Sequence, residues 1–264
     1  MLRILIQAIF DFDRTLTRAT SSKTGENLQD SWGAILESKF IKKRTLVEYK
    51  KLFDFFYPIE QQTDLPVKEK EAAMVEWWSK ALNLIVHEKI TREQLVQMVQ
   101  HTSMQLRAGV SEVFGKLAQW KVPILIFSAG ILNVIDLFIH DHHLLTANVR
   151  VLSNEIFFDD HGVLSHFHPY LIHGLNKNGE ALTNVFKQTW SPEIPRDHII
   201  LMGDNLEDIS MMNGFNKVES LTIGFLNKRI KENLPKYLAT YDLVIIDDAS
   251  MELVNLLFDY IFSV

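Results

Sequence analysis

The sequence predicts an α/β protein, a doubly wound parallel sheet with a block of helices inserted after its first strand. Two observations lead there. Short, nearly continuous apolar runs alternate with segments of helical period, the pattern of parallel strands covered on both faces. The first two runs are separated by about ninety residues of helical material, far more than an ordinary βα crossover needs.

In chain order, the apolar runs are Ile4–Phe10, Val122–Phe127, Val149–Leu152, His198–Met202, Leu221–Phe225 and Leu243–Ile246. Between the first two, Met74, Trp78, Ala81, Leu82 and Ile85 share one helical face. Thr91 with Gln94 three residues on reads as a capping box for a further helix, which turns Leu95, Met98, Val99 and Thr102 inward. Val134, Ile135, Phe138 and Ile139 form a stripe after the second run, and Leu253, Leu256, Leu257 and Ile261 form one at the C-terminus. An Asp160-His161-Gly162 turn within Phe157–Val163, flanked by apolar residues, predicts a hairpin on the sheet edge. Residues 1–16 and 108–264 are therefore expected to form the core, and 17–107 a helical cap.

The bulk composition narrows the function. With 47% hydrophobic residues, the 264-residue chain can bury a substantial core. Its net charge of −6, with no clustered basic face, disfavours a nucleic acid polymer and leaves a small anionic ligand open. The absence of cysteine excludes disulfides and thiolate metal sites and suits a reducing compartment. The apolar N-terminus is too short for a signal peptide, and no run is long enough to span a bilayer. A cytoplasmic monomer without membrane partners is expected. His140, His142 and His143, like His166 and His168, lack a metal-ligand spacing and read as solvated. Arg14 and Arg18 read as surface ion pairs.

Three strand ends carry chemistry. Asp11-Phe12-Asp13-Arg14-Thr15 follows the first run, so two carboxylates point one way while Phe12 packs the other way. Such close like charges are best tolerated around a cation. Ser128-Ala129-Gly130 follows the second run, where a hydroxyl and small residues let backbone N–H groups approach a phosphate; a plain N-cap serine is the simpler alternative. Gly203-Asp204 follows the fourth, with Asp208 on the opening turn of the next helix, as a metal ligand and a supporting acid or as acids answering the helix dipole. Lys177 lies between the last two signals.

In this order the signals resemble the four motifs of the haloacid dehalogenase (HAD) superfamily. Further stretches, including Met74–Ala81, Ile126–Ile131, Val151–Asn154, Asn176-Lys177, Ile223–Asn227 and Tyr241–Val244, resemble the cytosolic pyrimidine 5′-nucleotidase (cytosolic 5′-nucleotidase III) family. The resemblance implies a HAD-like fold and hydrolysis of a nucleoside 5′-monophosphate with Mg²⁺ as cofactor. Asp11 would be the nucleophile and Asp13 the acid and base. Asp11, Asp13 (through its carbonyl) and Asp204 would hold the metal. Ser128, Ala129, Gly130 and Lys177 would hold the phosphoryl group, with Asp208 in support. The base would meet Glu60 and Trp78, although Glu60 also reads as a solvated acid and Trp78 as core. Ala81 stands where several relatives carry serine, which leaves pyrimidine and 7-methylguanine bases both open. Phosphatases of phosphoserine or a sugar phosphate, and a nucleotide-binding protein without turnover, are the alternatives.

Overall fold

The computed structural model describes residues 6–62, 64–185, 196–213, 215 and 219–263. Six strands form one parallel sheet in the order β3-β2-β1-β6-β7-β8. They are β1 (Ile6–Phe10), β2 (Ile124–Ile131), β3 (Val149–Asn154), β6 (His198–Gly203), β7 (Glu219–Leu226) and β8 (Leu243–Ile246). Each expected run lies largely on one of these strands; Val122 and Pro123 precede β2, and Ile4 and Leu5 lie outside the described residues. The strands extend past several runs because polar residues such as Ser128, Ser153 and Asn154 continue the backbone ladder.

Alternation along each strand builds a core on both faces. Ala8, Phe10, Ile124, Ile126, Ile200 and Met202 join one cluster with residues of α5 (Val110–Gln119), α6 (Leu132–Asp141) and α9 (Glu252–Ser263). Ile9, Leu125, Phe127, Ile199 and Leu201 join a second cluster with Ala181 of α7 (Gly179–Val185) and with Tyr237 and Tyr241, in and just past α8 (Ile230–Thr240). Phe12 is fully buried edge-on to Phe138, 5.8 Å between ring centres, so it packs away from its flanking carboxylates.

Two expectations are corrected. On α9 the buried face is Val254, Phe258 and Phe262, whereas Leu253 and Leu256 are 49% and 61% exposed. The helix is apolar most of the way round, so its periodicity does not choose a face, and the two phenylalanines go inward because they bury more surface. The hairpin exists as β4 (Ile156–Phe158) and β5 (Leu164–Phe167), but it forms its own two-stranded sheet and is not an edge of the main one. Its turn is set by Asp159, whose Oδ1 accepts from the His161 and Val163 amides, and by Gly162 at φ 73°.

Between β1 and α5 lie α1 (Gly33–Leu36), α2 (Lys43–Gln61), α3 (Val67–His87) and α4 (Arg92–Gln100). The capping box of α4 is present, with the Thr91 side chain accepting from the Gln94 amide and the Gln94 side chain from the Thr91 amide. The two connections to the sheet run side by side, with the Arg18 amide donating to Gln105 O (2.9 Å) and the Arg107 amide to Leu16 O (2.8 Å). Buried Arg107 clamps this junction, its guanidinium donating to the carbonyls of Arg14, Thr15 and Ala249 and pairing with Asp248 at 3.1 Å. Among the described residues, no helix is long and apolar enough to cross a membrane.

Candidate active site

Strand register brings the three signals together. Phe10 lies opposite Ile126 on one side and Met202 on the other, so Asp11, Ser128 and Asp204 emerge at the same edge of the sheet. The Asp11 amide donates to Met202 O at 2.9 Å, fixing that level. The place is where the chain order reverses, between β2 on one side of β1 and β6 on the other, as open α/β sheets arrange their ligand sites.

Lys177 is the centre of the charge cluster. Only 4% exposed, it follows a short 3₁₀ turn, and its Nζ donates to Asp11 Oδ1 and Asp208 Oδ1, both at 2.6 Å. The other oxygen of Asp208, on the 3₁₀ helix Leu206–Met212, accepts from the Asn205 amide at 3.0 Å. A Cβ on Gly203 would come within 2.5 Å of that carboxylate, so the residue before Asp204 has to be glycine. The side-chain hydroxyls of Tyr237 and Tyr241 donate to the carbonyls of Asp204 and Asn205, which ties this loop to α8.

Asp11, Asp204 and Asp208 each offer a carboxylate oxygen, and these atoms lie within 4.8 Å of one another. One ammonium does not balance them. Burial pushes the Asp11 carboxyl up to about 6 against the opposing pull of Lys177. Burial, followed by Asp11 and Asp208, raises Asp204 well above the ordinary range. Burial would lower Lys177, but the two carboxylates outweigh it and hold the ammonium charged. A buried excess of negative charge on hard oxygen donors is the environment a small divalent cation relieves.

Asp13 is half-buried beside this cluster. Its Oδ1 accepts from the Ser31 amide at 2.8 Å and its Oδ2 from the Ser31 hydroxyl at 2.5 Å. Burial, then the nearby Asp30 carboxylate, pushes its carboxyl up to about 7. Ser128 is buried and does not cap α6, whose N-cap is Ile131; its Oγ accepts from the Gly130 amide at 3.0 Å. The Gly130 amide is thereby occupied inside the loop. Asp11, Asp13, Ser128, Ala129, Gly130, Lys177, Asp204 and Asp208 all line one cleft of about 180 Å³, which Arg14, Trp32, Glu60, Trp78 and Glu207 also border.

A second cavity of about 420 Å³ adjoins it, sharing Asp30, Trp32, Glu60 and Trp78. Its walls are Tyr49, Phe53 and Tyr57 of α2 and Trp77, Trp78 and Ala81 of α3. Trp78 is half-buried, packing against the core while bordering both cavities, and neutral His173, pushed down to about 4 by burial, stands edge-on to it at 6.3 Å. Glu60 is half-buried, with its carboxyl raised by burial and by Glu207 across the cleft. Sequence reasoning missed Trp32, Trp77 and the α2 stripe. The signal was available, since Tyr49, Phe53 and Tyr57 recur every four residues and lead to Glu60. Ser31 left no such signal. Arg14 and Arg18 pair with Asp30 and Asp248 at 3.1 and 3.2 Å, although Arg18 is only 17% exposed. His140, His142, His143 and His166 are exposed and His168 is half-buried; among the described residues none belongs to a metal-binding group.

The profile of a family described as Pyrimidine 5′-nucleotidase (UMPH-1) matches residues 14–262. A 7-methylguanosine phosphate-specific 5′-nucleotidase A of Xenopus laevis is 38% identical over 253 residues, covering 95% of this chain and 85% of that protein. A crystal structure of cytosolic 5′-nucleotidase IIIB bound to cytidine superposes with a TM-score of 0.82 at 29% identity, covering 99% of this chain and 87% of the other. Phosphoserine phosphatase in its apo form shares the fold at a TM-score of 0.53 and 17% identity, with 94% and 96% of the two chains covered.

Proposed function

The chain belongs to the pyrimidine 5′-nucleotidase (UMPH-1) family, and from that premise we propose that it hydrolyses nucleoside 5′-monophosphates, with Mg²⁺ and through an aspartyl-phosphate on Asp11. The observation that carries this reading is the convergence of Asp11, Lys177, Asp204 and Asp208 in a cleft that opens directly onto an aromatic cavity. The three clustered carboxylates fit a hard divalent ion by donor type and by their unbalanced charge. Asp11, Asp204 and the Asp13 carbonyl would hold it. Its chemistry, when bound, is to neutralise phosphoryl charge.

The chain's own groups would act in two displacements. An Asp11 oxygen bonds to phosphorus while the bond from phosphorus to the ribose oxygen breaks, and that oxygen takes a proton from Asp13. Asp13, now a carboxylate, then takes a proton from water as the water oxygen bonds to phosphorus. The bond to Asp11 breaks, and inorganic phosphate leaves. A carboxyl pushed up to about 7 exchanges its proton readily at neutral pH, which suits giving a proton in one step and taking one in the next. Lys177 and Ser128 hold the transferring oxygens in both steps, and Asp208 aims Lys177.

The base would lie in the aromatic cavity against Trp78, with Glu60 as its hydrogen-bond acceptor. Aromatic faces beside Glu60, Asp30 and Glu207 favour a cationic ring, so 7-methyl-GMP should be the better substrate and CMP the next. The name of the Xenopus laevis relative supports the first, and the cytidine in the structural neighbour the second. Ala81 lines the cavity without a polar group, which removes one contact that could discriminate between bases. A cytoplasmic setting accords with the neighbour's designation as cytosolic and with a chain that lacks cysteine.

The test is phosphate release from 7-methyl-GMP, CMP, UMP, purine monophosphates, sugar phosphates and phosphoserine, with Mg²⁺ and with chelator. Preference for nucleotides, loss in chelator and inactivity of Asp11→Asn are expected. Uniform activity over the panel, or full turnover by Asp11→Asn, would overturn the reading.

A further inference from the structure

We propose that Ser31 is the residue that positions Asp13 as acid and base, an inference that rests on the reading of Asp13 given above. Ser31 is fully buried, and it holds both Asp13 oxygens at once, Oδ1 through its amide at 2.8 Å and Oδ2 through its hydroxyl at 2.5 Å. Two bonds from one residue fix the plane of a carboxyl that a single bond would leave free to rotate. That plane matters because one oxygen must give its proton to the ribose oxygen as the phosphorus–oxygen bond breaks. The group must then accept a proton from water without leaving the cleft. A misplacement of about 1 Å is enough to slow such steps about a hundredfold.

The surroundings hold Ser31 as firmly as Ser31 holds Asp13. Before it, Asp30 accepts from the Gly33 amide at 2.8 Å and pairs with Arg14 at 3.1 Å. After it, Trp32 donates from Nε1 to Ala129 O at 3.1 Å, across the cleft. Opposite it, a Cβ on Gly130 would lie 2.1 Å from Ser31 Oγ and 3.1 Å from Asp13 Oδ2. Glycine at 130 therefore makes room for the Ser31–Asp13 pair. Ser31 acts only through Asp13 and is a positioning residue.

The experiment compares Ser31→Ala with the parent protein on two leaving groups. A nucleoside departs as an alkoxide and needs the proton, whereas p-nitrophenolate departs without one. For CMP or 7-methyl-GMP, kcat should fall about 10- to 100-fold, a part of the 10²–10⁴ attributable to a placed acid, with KM within about threefold. In rapid mixing with p-nitrophenyl phosphate, release in the first turnover should stay within about threefold. Ser31→Cys fills the same space with a weaker donor and should show the same selective loss, which guards against a folding defect in the alanine variant. Equal slowing of both leaving groups, or unchanged nucleotide turnover in both variants, would overturn the role of Ser31. Asp13→Asn is run beside them. If it turns over nucleotides normally, the acid–base reading itself falls. If it is inactive while Ser31→Ala and Ser31→Cys are normal, only the positioning role falls.

Discussion

Replacing Lys177 with methionine should separate metal binding from turnover. Nζ lies 2.6 Å from both Asp11 and Asp208. At an effective dielectric of about 20, each such pair is worth about 6 kcal/mol of gross attraction. Desolvation of the three buried ions takes back most of it, and removing one partner of such a group costs about 3–5 kcal/mol. In chelator the variant should therefore melt roughly 8–15 °C lower, at about 2–4 °C per kcal/mol for a chain of this size. The same change deletes the positive charge opposing a divalent cation beside Asp11, Asp204 and Asp208. Saturating Mg²⁺ should then raise the melting temperature of Lys177→Met by more than it raises that of the parent. Turnover should nonetheless fall by at least about 10²–10³, because the proposed mechanism places this cation on the transferring oxygens. The assays are thermal unfolding with Mg²⁺ or chelator and phosphate release from CMP. Equal Mg²⁺-induced rises in the two proteins, or turnover within about tenfold of the parent, would refute the reasoning.

Asp136 on α6 has its carboxyl pushed from 3.8 up to about 6, by burial and then by Glu155. The folded protein holds that proton more tightly than the unfolded chain, so stability declines as pH rises from about 4 to 6. Fully expressed the effect is roughly 3 kcal/mol, and solvent screening at this half-buried site brings it to about 1. Asp136→Asn should be about 1 kcal/mol more stable than the parent at pH 7 and equal to it near pH 4 in urea unfolding. Phe53 is 40% exposed on the aromatic cavity, so Phe53→Ala should raise KM for 7-methyl-GMP about tenfold, leave KM for p-nitrophenyl phosphate unchanged and move the melting point little. Asp248→Asn leaves buried Arg107 without its counter-ion and should cost about 3–5 kcal/mol in urea unfolding.

How much of this could be read beforehand depended on whether backbone geometry or the packing of distant segments decides a residue's place. Asp11, Ser128 and Asp204 were legible because each ends an apolar run, and parallel strands in register must deliver their ends to one edge. Lys177 was legible only by its order among them; nothing local distinguishes it from a surface lysine, and its burial comes from two carboxylates on other elements. The face of α9 was only half legible, with Leu257 and Ile261 packed on the core and Leu253 and Leu256 outside it, because apolar residues lie on both sides of the helix and only the core it meets decides which turn inward. Ser31 was invisible for a stronger reason. It sits in an irregular stretch between β1 and α1, and its meaning lies in the space left by Gly130, about a hundred residues away.

The two cavities constrain the substrate more tightly than either alone. Ala129 O accepts from Trp32 Nε1 at 3.1 Å and Trp78 Nε1 at 3.4 Å, so one core carbonyl beside Ser128 carries two indoles from the helical insertion. The distance between the phosphoryl cleft and the aromatic walls is thereby set by hydrogen bonds, since Trp32 and Trp78 border both spaces. Phosphoserine would occupy the first cavity and leave about 420 Å³ of aromatic wall unfilled, while its carboxylate faced Asp30, Glu60 and Glu207. A sugar phosphate would reach the second cavity without an aromatic face to lay against the rings. A phosphate, a ribose spacer and a flat base would reach into both, and a cationic base would also answer the acids at the junction. On these grounds a nucleotide is the fitting occupant, and 7-methyl-GMP should exceed CMP by more at low salt than at high, because the difference between them is the charge of the ring.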